Sequence, residues 1–155
     1  MSGGADLRIE LVSNPAYLCG VRELVHQVMK RCGFAETEAS QIALATDEAL
    51  INVMRHGYDK RHDGRIWMSI EPLGNHDSPD GIRIVIEDEA RQVDPDTIKS
   101  RPLEEIRPGG LGVHIIREVM DEVRYERRDR VGMRLTMVKR VRTDSGVVSK
   151  GEQRG

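Results

Sequence analysis

Arg107-Pro108-Gly109-Gly110-Leu111-Gly112 runs straight into Val113-His114-Ile115-Ile116-Arg117-Glu118-Val119-Met120, a glycine-rich loop that opens an amphipathic helix. Glycines at these positions let the backbone approach a ligand closely, and the first free N–H groups of the helix point to the same place. A phosphate chain fits such a cradle. From these residues alone, a flexible loop that merely ends in a helix is an equal alternative.

Two upstream stretches decide between the alternatives. Asp47-Glu48-Ala49-Leu50-Ile51-Asn52 lies inside a segment, about 37–56, in which Ile42, Thr46, Ala49 and Val53 recur at helical spacing as a buried stripe. Glu48 and Asn52 are one turn apart at the border of that stripe, where a carboxylate and an amide can face a cleft or simply a solvated surface. Further on, Ile82-Arg83-Ile84-Val85-Ile86-Glu87-Asp88 alternates apolar and polar residues and ends on an acidic pair. This is a strand that delivers Asp88 to its C-terminal end, as an acceptor for an exocyclic amine such as adenine's or as an ordinary turn residue.

In this order, an acid-plus-amide helix, a strand ending in Asp and a long loop closing on Gly-Gly-Leu-Gly resemble the ATP-binding domains of the GHKL superfamily. Within it the chain most resembles the small RsbW-like anti-sigma-factor serine kinases of bacterial partner switching. Glu48 to Tyr58 (Glu-Ala-Leu-Ile-Asn-Val-Met-Arg-His-Gly-Tyr) is similar to their N box, and Pro108 to Val123 to their G2 box; the resemblance covers about Leu7 to Val141. Two positions depart from the pattern. The Asp-x-Gly motif reads Asp88-Glu89-Ala90, which adds a methyl beside the base, and Met133 follows Gly132 where a Thr often stands.

The resemblance implies a Bergerat-type ATP-binding fold and a protein-serine kinase using Mg-ATP. Glu48 is then the general base for the attacking serine hydroxyl, and Asn52 a hard, neutral oxygen ligand for magnesium. Asp88 reads the adenine amine with Ala90 beside it, Gly109, Gly110, Leu111 and Gly112 wrap the phosphates, and Arg107 neutralises their charge. Implied partners are a sigma factor, held by the kinase, and an anti-sigma-factor antagonist of the STAS type whose serine is phosphorylated. A homodimer is implied as well. The competing reading, motivated by Ala90 and Met133, is a non-catalytic ATP-binding regulator of the same fold that acts by partner binding only; an ATPase without a protein acceptor is a third. His56 reads as a capping or packing residue at the helix end, Arg55 as a contact of phosphate, of nucleotide-side water or of a neighbouring subunit, and Arg22 as a partner contact.

Composition sets the frame. With 155 residues and 38% hydrophobic content the chain suits one domain, with no room for dimerisation helices or a transducer domain. A formal net charge of −2 gives no overall basic field for nucleic acid, and the run from Arg124 to Arg130, interrupted by Glu126 and Asp129, reads as a solvated strand and turn. Cys19 and Cys32 lack metal or redox spacing and read as reduced packing residues. The five histidines form no close ligand pair. The first eight residues carry no basic and apolar leader, and no apolar run is long enough to span a bilayer, so the expected location is the cytoplasm, away from membranes.

The element order follows from periodicity. Leu7, Ile9 and Leu11 alternate as a strand; Asn14 and Pro15 then open a helix that carries Leu18, Val21, Val25, Val28 and Cys32 and stops at Gly33. The helix bearing Glu48 and Asn52 follows. Ile66, Met68 and Ile70 form a strand joined through a turn at 74–81 to the strand ending in Asp88. The charged connection 89–108 has the length of an active-site lid, and after the last helix come strands at 122–127 and 132–141. The expected architecture is an α/β, or α+β, two-layer sandwich: a mixed, mostly antiparallel sheet with helices on one face. Residues 1–142 make the domain and 143–155 a disordered tail.

Overall fold

The computed structural model of the chain describes residues 5–98 and 111–142. Strand β1 (Leu7–Val12) alternates half-buried Leu7, Ile9 and Leu11 with exposed Arg8 and Glu10. Two residues beyond its end lies Asn14, whose Oδ1 accepts from the Ala16 N–H at 3.0 Å. Pro15 opens a single 3₁₀ turn before α1 (Leu18–Arg31) begins, so the expected cap is present but serves that turn. Gly33 stops the helix with φ +100°, and Phe34 N–H reaches Met29 O while Gly33 N–H reaches Lys30 O. Those two bonds satisfy carbonyls that a helix end leaves open.

Helix α2 (Glu36–Asn52) is the centre of the helical layer and packs against both α1 and α3 (Leu111–Val119). Its buried residues include Ala39, Ala43, Ala45 and Ala49 beside Ile42, Thr46 and Leu50. Alanines favour helix and let two neighbouring helices come close. Thr46 satisfies its buried hydroxyl by donating to Ile42 O at 2.9 Å. Past Asn52 the helix widens into a π-helical turn, Val53–Gly57, closed by Tyr58 N–H to Val53 O at 2.9 Å.

The sheet has the order β1-β2-β3-β5-β4, with β2 (Arg65–Gly74), β3 (Pro79–Asp88), β4 (Glu122–Arg127) and β5 (Met133–Arg140). All four pairings among the described residues are antiparallel, where a mixed, mostly antiparallel sheet was expected. Ile66, Met68 and Ile70 of β2, Ile82, Ile84 and Ile86 of β3, and Leu135 and Met137 of β5 are all buried. They point to one face, the one the helices cover. Each such side chain contributes about 1.5–3 kcal/mol on burial. The hairpin turn is tighter than expected, because β2 runs through Gly74 and β3 starts at Pro79.

Several expectations need amendment. Cys32 is half-buried, but Cys19 is exposed and packs against nothing in the core; both are free thiols. Among the described residues no helix is long and apolar enough to cross a membrane. Arg107, Gly109, Gly110 and the tail 143–155 lie outside the described residues, as does the second half of the expected lid, 99–108.

Candidate functional site

Helix α2 carries Glu48 and Asn52 one turn apart, both half-buried, on the side where α3 begins. Gly112, in the first turn of α3, sits against them. A Cβ built on Gly112 would fall 2.8 Å from Glu48 Oε2 and 3.5 Å from both side-chain heteroatoms of Asn52. The start of the G2-like helix and the N-box-like helix, far apart in sequence, therefore meet backbone to side chain. Leu111 opens the same helix.

The second half of the site is the corner after β3. Asp88 is buried, and its Oδ1 accepts two backbone N–H bonds, from Ala90 at 2.9 Å and from Met133 at 3.1 Å. Among the described residues Oδ2 accepts no hydrogen bond. Burial raises the Asp88 pKa; the Ala90 and Met133 N–H groups and the Arg128 charge oppose that rise. The corner abuts the end of the N-box segment, since a Cβ on Gly57 would lie 3.1 Å from the Ala90 methyl.

Neither departure from the Asp-x-Gly-type pattern disturbs this corner. Ala90 does not have a positive φ, so its methyl carries no backbone strain. Met133 engages Asp88 through its backbone N–H, which any residue but proline supplies.

Electrostatics single out Glu48. Burial raises its pKa above the ordinary glutamate value, the neighbouring Asp47 charge adds to the rise, and Arg55 works against it. Asp47 faces the other way, toward α1, where Arg22 pairs with its Oδ2 at 3.4 Å while Oδ1 is buried without a partner among the described residues. Arg22, read from sequence as a partner contact, makes this bond while about half of its side chain stays exposed. Burial likewise raises the Asp47 pKa, against the pull of Arg22.

Sequence reasoning passed over the residues that hold the corner in place. Tyr58 Oη accepts from Glu89 N–H at 2.7 Å and donates to Arg65 O at 2.5 Å. Arg128 Nη1 donates to Asp88 O at 2.6 Å, its Nε pairs with Glu87 at 2.8 Å, and its guanidinium stacks 5.3 Å from the Trp67 ring centre. The arginine run from 124 to 130 is therefore partly built into the structure rather than only solvated. Gln92 Nε2 donates to Arg128 O at 2.5 Å and Arg127 Nε to Val93 O at 3.2 Å, so the first residues of the expected lid are tied to the β4–β5 corner. His56 is exposed, which removes a packing role. Among the described residues no cluster of three or more His, Cys, Asp or Glu could hold a metal ion, so a metal at Asn52 would need ligands from a bound phosphate and water.

The donor set fits a nucleoside triphosphate: the solvent-accessible second oxygen of the Asp88 carboxylate at one end, an amide and a carboxylate at the other, and a helix start whose side-chain-free residue leaves room between. The family model described as Histidine kinase-like ATPase domain matches residues 11–139. The chain is similar to the serine-protein kinase RsbW of Oceanobacillus iheyensis, 26% identical over 132 residues that cover 80% of each chain. It is 23% identical to the serine-protein kinase RsbW of Bacillus subtilis over 145 residues, 88% of each. Among solved structures it shares its fold with the SiaB-SiaC complex of Pseudomonas aeruginosa, at a TM-score of 0.64 and 15% identity over 86% of this chain and 89% of that one. The RsbU and RsbW domains of a Mycobacterium tuberculosis protein give a TM-score of 0.61 and 19% identity, over 86% of this chain and 32% of that longer one.

Proposed function

The chain belongs to the histidine kinase-like ATPase domain family, and from that premise we propose that it is a protein-serine kinase of partner switching. In this reading it phosphorylates an anti-sigma-factor antagonist of the STAS type on serine and holds a sigma factor in the alternative complex, as a cytoplasmic homodimer. The similarity to serine-protein kinases over most of both chains supports it. The observation that carries it is the junction of Glu48, Asn52 and Gly112.

When bound, Mg-ATP supplies the transferable γ-phosphoryl group and the metal charge that offsets its oxygens. The chain's own residues do the rest. Asp88 Oδ2 accepts from the adenine amine, while Oδ1 stays fixed by two backbone donors. Asn52 would hold the magnesium by its amide oxygen. Gly112 keeps the space between helix and phosphate clear, with Arg107, Gly109, Gly110 and Leu111 assigned to the same phosphates. Glu48, made more basic by burial, takes the proton of the serine hydroxyl. A base that is too weak gains little from proximity, and one on a buried helix border is held in place by the helix itself.

Calorimetry on wild type and Asp88→Asn tests the nucleotide end. The substitution keeps an oxygen for the Ala90 and Met133 donors but puts an amide where the amine needs an acceptor, so Mg-ATP affinity falls about tenfold or more, the worth of a hydrogen bond to a charged group. Unchanged affinity would remove Asp88 from the adenine site. Stability moves the other way. The folded Asp88 pKa is raised, so the proton is bound more tightly in the folded state; the associated stability is present below the ordinary carboxylate pKa and is lost as pH rises through the folded value. At neutral pH the carboxylate costs stability, and a thermal melt of ligand-free Asp88→Asn shows a midpoint no lower than wild type; a clear drop would make the charge structural.

A further inference from the structure

Beside the N-box turn, and outside the site just described, lies an open cleft of about 550 Å³ lined by Ser13, Pro15, Met54, Arg55, His56, Lys60 and His62. Four of these seven side chains carry basic nitrogen, and among the described residues no carboxylate lines the cleft. Among the described residues none of the four basic groups is in an ion pair, although the chain as a whole is net negative. Asp59 and Asp63 belong to the same loop but do not line the cleft, and Asp63 pairs with Arg61 at 4.0 Å. Arg55 and Lys60 are cations, and like charges gathered without counter-charges are unfavourable unless something binds there.

The rim is held in shape at a cost. Asp59 and Lys60 both adopt left-handed backbone, at φ +50° and +65°, which side chains other than glycine's rarely take. Lys60 N–H to Met54 O at 3.0 Å and Arg61 N–H to Tyr58 O at 2.9 Å fix the turn. Ser13, just past the first strand, clasps it, donating to Arg61 O and accepting from Gly64 N–H at 3.0 Å. Strain kept by surrounding bonds is a mark of a site shaped before its ligand arrives. Arg55 joins the cleft to the catalytic centre, since its charge already acts on the Glu48 carboxyl.

We propose that this cleft docks an acidic segment of the protein substrate, so that carboxylates on the partner meet Arg55, His56, Lys60 and His62 while its serine lies toward Glu48. The inference rests on the kinase reading for the identity of the partner, but the cleft's preference for an acidic chain is measurable without it. The overall negative charge and the lack of an aromatic side chain in the cleft disfavour single-stranded nucleic acid, which needs stacking platforms as well as a basic track.

The test is fluorescence anisotropy with labelled hexaglutamate on the full chain at low salt, with labelled oligothymidine as the second arm. Hexaglutamate binds, weakens about tenfold or more in Lys60→Glu/His62→Glu, and weakens with rising salt, as screened charge pairs do. The neutral pair Lys60→Asn/His62→Gln, which spares the turn, gives an intermediate loss. Arg124→Glu on the far strand leaves binding unchanged. Saturating Mg-ATP leaves the peptide bound. Failure of hexaglutamate to bind, equal binding to the charge-reversed variant, displacement by Mg-ATP, or preference for oligothymidine overturns the proposal. Peptide binding by a protein that transfers no phosphate would instead leave the cleft standing and defeat the kinase reading.

Discussion

Glu48→Gln lowers phosphoryl transfer to the partner serine by roughly two to four orders of magnitude, the usual worth of general acid–base catalysis, while Mg-ATP still binds and the fold persists. Gln has the same shape and keeps the contact with Gly112, so what is lost is the ability to take a proton. The pH profile gives an independent check. Glu48 acts only when ionised, so the wild-type rate declines as pH falls through its pKa, and burial and the Asp47 charge place that decline above the ordinary glutamate range. Asp47→Asn, which removes the like charge, moves the decline to lower pH. A rate that is indifferent to Glu48→Gln, or an acid limb that stays in place in Asp47→Asn, contradicts the assignment.

Gly132→Ala destabilises the whole domain by on the order of 3 kcal/mol, a fall of about 10 °C in melting midpoint for a domain of this size. Two causes combine. Gly132 has φ +89°, and a methyl there would sit inside the van der Waals envelope of the Asp88 carbonyl oxygen. That oxygen already accepts from Arg128. Relief would push β5 away from the corner and break the Met133 N–H bond to Asp88 Oδ1, so nucleotide affinity falls with stability. Circular-dichroism melts check the first effect and calorimetry the second; a variant that melts like wild type would mean the corner is more compliant than its contacts imply.

The fold was legible wherever periodicity governed it. Alternation in Leu7 to Leu11, Ile66 to Ile70 and Ile82 to Ile86 marks strands whose buried face is set by side-chain parity, and the Gly33 stop is a local backbone property. Glu48 and Asn52 stood out as polar residues at the border of an apolar stripe. Their encounter with Gly112 is tertiary and no spacing reveals it. Arg128 looked like one charge in a solvated run, because its bond to a backbone carbonyl forty residues away leaves no trace in local pattern. Tyr58 is hidden for the same reason, and the π-helical turn at Val53–Gly57 departs from the helical period by too little over one turn to be read. The anchoring of Gln92 and Val93 was obscured by the charge of the surrounding connection.

Transfer of phosphate to a protein serine from the junction of α2 and α3 is what separates a kinase from a regulator that acts by binding alone. Its most direct test is intact-mass and peptide mass spectrometry on wild-type protein saturated with Mg-ATP and mixed with a STAS-type antagonist. One added phosphate on an antagonist serine, absent with Glu48→Gln, is the expected result. No phosphoserine, from a wild-type protein that binds Mg-ATP and still forms the complex, would contradict it and leave a regulator that acts by binding alone.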